Sequence, residues 1–499
     1  MKVVIVGAGP SGLATLKYLL SVPKFFDTEP IEVICVEKTG NYGGAFTNLT
    51  YEDLVSSKYL TAFSDFRFPA GCPDFPTARD VVDYFRRYVH HHNLKDFILV
   101  STEVLSIQRQ GNGHAVTVRT ANGLVETVEC DAVAICSGLH NIPNIPEVEG
   151  IELAKKQFHS SAYSGRADFS RGNHVTILGA GETAFDLAYQ AVTSDAKSVT
   201  LCHSDGFFCG PKPLLWGYYN LWIKFTQTFI SGTPRGPDQW VGRPPKARDH
   251  VDAIFFNKSQ RAIPYIAKEW RSEALWNRIR AFFVRLPHRP TGDKFIAVAP
   301  WPKRITNEGF FEFRDNGSPE YERIKDKKIP ADVVVFATGY KRVVKFLDAA
   351  YPQPGDVDVR GIYHHDDVTV AFIGFMRPSL GAIPPLAELQ AQLWILRLLQ
   401  SRNPSLVPLS AAPGPSPFPR SIPAYELDYS LHARNGRNFA QLKGGVDHEA
   451  YAYQLALDME AAPKLGYVLS WGPSFFRTWA MGPNFNTKFR LVGPWKDEK

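Results

Sequence analysis

An α/β fold built from two Rossmann-like dinucleotide-binding domains is predicted by three features of this chain. A glycine-rich turn, Gly7-Ala8-Gly9-Pro10-Ser11-Gly12, follows the apolar run Val3–Val6. A second turn, Gly179-Ala180-Gly181-Glu182-Thr183-Ala184, follows Val175–Leu178 in mid-chain. The length, 499 residues, exceeds one ordinary domain and suits two to four at about 100–200 residues each.

The first unit reads in order. Val3-Val4-Ile5-Val6 is uniformly β-branched, as suits a strand buried on both faces. Leu13, Leu16, Leu19 and Leu20 then keep helical spacing. Strand, GxGxxG and helix together form a dinucleotide-binding turn. Gly7 permits the tight turn, Gly9 lets a pyrophosphate approach the backbone, and Gly12 lets helix pack on strand. The phosphates then face the positive helix end at Pro10 and Ser11. A strand over Ile31–Val36 ends in Glu37, whose carboxylate suits a ribose hydroxyl pair and repels a 2′-phosphate, so FAD is expected here. Glu37 stands farther along than the usual ~20 residues, a delay assigned to a loop over Pro23–Pro30.

The second unit repeats the pattern. Ala184, Leu187, Ala188, Ala191 and Val192 keep helical spacing, and a strand over Val199–Cys202 leads into His203-Ser204. No carboxylate closes this unit, so it can accept NADPH with Ser204 near the ribose, although the usual phosphate-binding Arg is missing. Gly181, Glu182, Thr183 and Ala184 are its expected cofactor contacts. Asp131–Gly138 and Asp332–Tyr340 each read as a strand ending in a small-residue glycine turn, which places Gly138 and Gly339 beneath a cofactor. Asn112-Gly113 and Asn122-Gly123 read as turns of a meander. Thr77-x-x-Asp80 caps an amphipathic helix that ends in His90-His91-His92. Consecutive histidines cannot share one helix face, so no metal site is expected.

Composition excludes several classes. With 44% apolar and 21% charged residues the chain is not disordered. A net charge of +6 without a long basic run gives no nucleic-acid footprint. No apolar stretch approaches the ~18–20 residues of a membrane span, and no signal peptide is visible. The six cysteines, at positions 35, 72, 130, 136, 202 and 209, form no CxxC pair, which argues against a redox disulfide and suits a cytoplasmic location. Six of the ten tryptophans (Trp216, Trp222, Trp240, Trp270, Trp276 and Trp301) fall between residues 211 and 310. That stretch reads as an aromatic-rich insertion, either an irregular core, the lining of an apolar pocket or a membrane-surface patch.

Several segments carry a resemblance. Gly43-Gly44-Ala45-Phe46 is similar to a Gly-Gly-Leu-Trp motif, and Phe63–Pro69 to Phe-x-Asp-Phe-Pro-Phe. Pro385-Leu386-Ala387-Glu388-Leu389-Gln390-Ala391-Gln392 resembles a Pro-x-Ala-Glu-Leu-Gln-Ala-Arg helix, and Met481-Gly482-Pro483 and Phe489–Pro494 resemble a family tail. By these segments the chain resembles the class B flavin-dependent monooxygenases, the family of the dimethylaniline (N-oxide-forming) enzymes, over nearly its whole length. There are departures. In the motif Phe-x-Gly-x-x-x-His-x-x-x-Tyr, His159 and Tyr163 are kept, but Leu153 and Lys155 replace the Phe and the Gly. Val55 stands where the family has an Asn beside the flavin.

The resemblance implies a flavin monooxygenase-type fold, FAD and NADPH as cofactors, and a small-molecule substrate with O2 as reactants. NADPH reduces FAD, reduced flavin captures O2, and the flavin hydroperoxide passes one oxygen to a soft nucleophile, an amine N or sulfide S of a small apolar molecule. Alternatives within this layout are oxidation of a ketone, N-hydroxylation, or a flavin-binding protein without productive oxygenation. The resemblance also places Gly44, Phe46, Ser56, Ser57 and Lys58 on one side of the flavin and Gln390 on the other. Ser57 and Ser56 are the candidate catalytic residues. The expected domains are residues 1–165 (FAD-binding, N-terminal part), 166–335 (NADPH-binding, with the insertion at about 210–300) and 336–499 (FAD-binding, C-terminal part). Peripheral membrane contact and a homodimer both stay open.

Overall fold

The structure, a computed structural model, describes residues 1–48, 57–204, 260–266, 275, 289–378, 382–407, 409, 429, 445–446, 448–481 and 485–496. The expected aromatic insertion, Val55 and Ser56 lie wholly or largely outside the described residues.

The first glycine turn joins β1 (Lys2–Val6) to α1 (Pro10–Phe25), and β2 (Glu32–Val36) pairs parallel with β1. Pro23 lies inside α1, so the loop expected from Pro23 begins after Phe25 instead. A proline in the last turn removes one backbone bond, while Leu16, Leu19 and Val22 stay buried on the same helix. Next come α2 (Lys58–Thr61) and α3 (Ala78–His91), whose capping box forms between Thr77 and Asp80. Beyond β3 (Ile98–Leu99), the strands β4 (Glu103–Gln110), β5 (Gly113–Arg119) and β6 (Val125–Cys130) make an antiparallel meander. Its first turn falls on Gly111-Asn112, with Gly111 at φ +57°, rather than on Asn112-Gly113. Gly113 is needed in the strand, because a Cβ there would lie 2.5 Å from the Cys130 carbonyl oxygen. β7 (Ala132–Ile135) returns to the free side of β1.

After the short β8 (Ile142–Pro143) the chain enters a second sheet. Its members are β9 (Lys156–His159), β10 (His174–Leu178), β11 (Ser198–His203), β12 (Ile296–Pro300) and, beyond the antiparallel pair β13 (Pro302–Ile305) and β14 (Phe311–Phe313), β15 (Val333–Phe336). The order is β12-β11-β10-β15-β9, with α4 (Glu182–Val192) crossing from β10 to β11. β9 joins this sheet upstream of the boundary expected at residue 165; it covers the free edge of β15 and packs Phe158 on the second core. The chain then returns. β16 (Tyr340–Lys341) pairs with β8, and β17 (Tyr363–His364) and β18 (Asp367–Phe372) complete the first sheet in the order β17-β18-β7-β1-β2-β3. Of two later helices, α5 (Ile383–Arg402) packs on α1 and α6 (His448–Asp458) packs on α5.

Every residue of β7, β10 and β15 is buried, as expected of parallel strands covered on both faces. The two sheets also share a device. The Asp131 carboxylate accepts the Lys2 N–H at 2.7 Å, and the Asp332 carboxylate accepts the His174 N–H at 2.9 Å. In each case the aspartate preceding the third strand closes the otherwise unpaired start of the first. Lys155, which stands where the family has Gly, pairs with Asp332 at 2.6 Å.

A half-buried charge cluster, with Glu388 fully buried in it, ties α1 to distant chain. Lys17 meets Asp65 at 2.6 Å, Arg490 reaches Asp65 at 3.7 Å and the Ser64 hydroxyl at 3.3 Å, and Glu388 of α5 accepts the Ser64 N–H at 2.8 Å. Burial and then the Asp65 charge raise the Glu388 carboxyl above its ordinary value. Removing one member leaves the others buried without full compensation, so Asp65→Asn is expected to cost about 3 kcal/mol in urea unfolding.

Two buried histidines set a pH dependence. His114 Nδ1 meets the Tyr351 hydroxyl at 2.8 Å and its Nε2 meets Thr369 at 3.0 Å, while His174 Nε2 meets Thr200 at 3.0 Å. Burial pushes both down to about 4, with the Arg109 charge adding to the effect at His114. Between pH 6.5 and 4 the unfolded chain binds protons that these native histidines refuse. Their contribution is therefore present above pH 6.5 and lost as pH falls toward 4. Denaturant unfolding at stepped pH should show stability falling across this window, with a shallower slope in His114→Gln.

Candidate cofactor site

The first turn is held by backbone contacts. Gly7 has φ +102° and donates its N–H to the Val36 carbonyl at 2.7 Å; a Cβ on it would lie 2.8 Å from the Cys136 carbonyl oxygen. A Cβ on Gly12 would lie 1.8 Å from the Gly7 carbonyl oxygen. Gly44, at φ +61°, rests on the turn: a Cβ there would sit 3.0 Å from the Gly9 Cα, and Gly43 donates to the Ala8 carbonyl at 3.0 Å. The Phe46 ring lies 5.8 Å from that of Phe85 of α3, tilted by 55°. Glu37 is buried at the end of β2. It accepts the Ala8 N–H at 2.8 Å and the Thr39 N–H and hydroxyl at 2.9 Å, leaving acceptor capacity for one more donor.

These features fit a dinucleotide. α1 begins at Gly9 with no side-chain cap and no acidic residue in its first turn, so its N–H groups and positive end are open to phosphate. Ser57, the N-cap residue of α2, is 3% exposed, and among the described residues its hydroxyl has no partner. Such an orphaned buried hydroxyl suits a polar edge of a bound group.

The second turn repeats the geometry. Gly179 has φ +119° and donates to the Cys202 carbonyl at 3.0 Å; a Cβ on it would lie 2.4 Å from the Ala337 carbonyl oxygen. α4 starts at Gly181 without a side-chain cap, with Glu182 and Thr183 half-buried and Ala184 fully buried. Ser204 is exposed just past the end of β11.

Past the end of β15, Gly339, at φ +75°, ties the second sheet to the segment that follows β8. Its carbonyl accepts the Asn144 N–H and His159 Nε2, each at 2.9 Å, and the Thr338 hydroxyl bonds the Asn144 carbonyl. Because the Ser161 N–H can only donate, His159 Nδ1 is the acceptor at 3.1 Å. The proton is therefore on Nε2, and the ring is neutral. Burial lowers its pKa. Gly138 has φ +81° at the corresponding end of the first sheet. Tyr163 bonds Gln190 at 2.6 Å and serves the second core.

Gln390 presents no free polar atom to a cofactor. It is fully buried, accepting the Gly374 N–H and donating to the Tyr451 hydroxyl, each at 2.8 Å. Asn144 and Gly374 carried no motif and were missed; each matters through backbone contacts that no spacing reveals. One group of potential metal donors occurs among the described residues, Asp358, His364 and His365, and there His365 Nδ1 already faces the Asp358 carboxylate at 2.6 Å. Among the described residues no helix is long and apolar enough to cross a membrane.

Two uncapped glycine turns, each on parallel strands, fit two dinucleotides, and comparison with known proteins supplies the class. Residues 1–231 match the family model described as flavin-binding monooxygenase-like. The chain is 40% identical over 540 aligned positions to monooxygenase cfoE of Aspergillus candidus, covering 99% of this chain and 90% of that one. It is 27% identical to dimethylaniline monooxygenase [N-oxide-forming] 2 of Oryctolagus cuniculus, covering 99% and 89%. The crystal structure of OTEMO in complex with FAD and NADP shares the fold at a TM-score of 0.54 and 14% identity, over 81% of this chain and 85% of that one. The chain belongs to the flavin-binding monooxygenase-like family, and its cofactors are FAD and NADPH.

Gly7→Ala puts a side chain at φ +102° against a fixed carbonyl. It is expected to cost about 2 kcal/mol and to give protein purified with less bound flavin, read as the ratio of visible to ultraviolet absorbance.

Proposed function

We propose that the first turn holds FAD, the second holds NADPH, and the protein transfers one oxygen of O2 to an amine nitrogen or sulfide sulfur of a small apolar molecule. The observation that carries this reading is the pair of uncapped helix starts, Gly9 and Gly181, each following a buried parallel strand. Bound FAD supplies the redox chemistry, taking electrons from NADPH and using them to activate O2. The chain's own work is to bind, orient and exclude water. The N–H groups at the start of α1 hold the pyrophosphate, and Glu37 takes a ribose hydroxyl. The Ser57 hydroxyl bonds a polar edge of the flavin or nicotinamide, with the adjoining Ser56 as its neighbour in sequence. Neutral His159 keeps Gly339 in place.

A soft nucleophile needs no general base, and the name of the rabbit relative supports an amine nitrogen. The buried thiols support the reading against a dithiol mechanism. Cys35, Cys130, Cys136 and Cys202 are free and buried, and burial raises all four, Cys130 and Cys136 to about 12. Free thiols also suit a cytoplasmic location.

The test is consumption of NADPH and O2 across tertiary amines, sulfides and ketones, with H2O2 release followed in parallel. One equivalent of oxygenated amine or sulfide per NADPH is expected. Turnover confined to ketones would move the assignment to ester-forming oxidation. Stoichiometric H2O2 with every substrate would leave a flavin-binding protein without productive oxygenation. Colourless protein that FAD cannot reconstitute would overturn the reading.

A further inference from the structure

The second side of the first turn is set by residues far from it in sequence. Gly374 follows the end of β18 with φ +85°, and a Cβ on it would lie 2.0 Å from the Ser11 hydroxyl oxygen and 3.1 Å from the Ser11 Cβ. The Gly374 backbone is thus the wall against which Ser11, second residue of α1 and 5% exposed, stands. The Gly374 N–H donates to Gln390 Oε1 at 2.8 Å, while the preceding Ile373 N–H donates to the Ile135 carbonyl at 2.9 Å.

The directions in this chain of bonds are fixed. A backbone N–H can only donate, so Gln390 must present its oxygen to Gly374 and its NH2 to the Tyr451 hydroxyl, also at 2.8 Å. Having accepted that bond, Tyr451 gives its single proton to the Arg360 carbonyl at 2.6 Å. Arg360 holds a left-handed backbone at φ +53°, and its guanidinium grips Asp458 of α6 at 2.6 and 3.1 Å. Gln390, Tyr451, Arg360 and Asp458 are all buried. Tyr451 and Asp458, seven residues apart, share one face of α6.

We infer that Gln390 and Tyr451 are positioning residues for the FAD-binding turn, acting through the Gly374 backbone on Ser11 rather than by touching the cofactor. The inference rests on the reading that the first turn holds FAD. It also gives a role to one of the four polar residues, Glu388, Gln390, Gln392 and Arg397, that α5 buries among apolar side chains. An amide supplies one acceptor and one donor in opposite directions, and neither leucine nor glutamate does both.

The experiment follows FAD release from the purified holoenzyme as flavin fluorescence after dilution. Wild type is compared with Gln390→Leu, Gln390→Glu, Tyr451→Phe, Ser11→Ala and the double variant Ser11→Ala/Gln390→Leu, with thermal unfolding recorded for each. Gln390→Leu, which leaves the Gly374 N–H buried and unpaired, should release FAD about tenfold faster. Tyr451→Phe and Gln390→Glu, which keep the Gly374 bond, should each give about a threefold change. The effects of Ser11→Ala and Gln390→Leu should be less than multiplicative, because they act on one contact. Unchanged release in Gln390→Leu, even with a lowered melting temperature, would overturn the relay, as would multiplicative effects in the double variant. Wild type that binds no FAD would instead overturn the functional reading.

Discussion

The arrangement depends on a contact with no room for a side chain. The first glycine of each nucleotide turn lies against a carbonyl at the end of the third strand, Gly7 against Cys136 and Gly179 against Ala337. Each glycine also donates its N–H to a residue at the end of the second strand, Val36 in one unit and Cys202 in the other. Three strand ends therefore meet backbone to backbone at one point in each sheet. The turn projects from that point, and the following helix starts with its N–H groups free. A Cβ at either glycine would part the strand ends before it altered the turn, so sheet geometry and nucleotide binding are one constraint.

Around this frame the chain uses buried polar groups as clamps. The Lys17, Asp65, Glu388 and Arg490 cluster joins α1, the segment after α2, α5 and the last described residues. The Arg360 and Asp458 pair performs the same role under α6. Buried ion pairs seldom add much net stability, since desolvation offsets their attraction. What they provide here is uniqueness of arrangement, because a slipped packing of α5 or α6 would strand a charge in an apolar core. The neutral histidines and raised thiols belong to the same dry interior, where burial suppresses every charge that lacks a partner.

Much of this was legible in the residues. The two glycine turns, their buried strands and helices, Glu37 and the capping box at Thr77 follow from spacing and residue type, because each depends on neighbours within about 30 residues. The Pro23 loop and the Asn112-Gly113 turn were misplaced for one reason: local propensity yielded to helix burial in one case and to a close approach across strands in the other. β9 joined the second sheet although no local signal distinguishes the strand edges it could cover.

The sequence by itself determined that two turns of the dinucleotide-binding pattern exist and which helix starts follow them, since the turn, strand and helix of such a unit are contiguous. Only the tertiary structure decided what stands behind them. Gln390 looked like a cofactor contact in its motif, yet its amide is spent on Gly374 and Tyr451. Ser57 was a candidate by its motif, and packing shows that its buried hydroxyl has no partner among the described residues. Whether a polar group is satisfied depends on atoms hundreds of residues away, and that information exists only once the chain has packed.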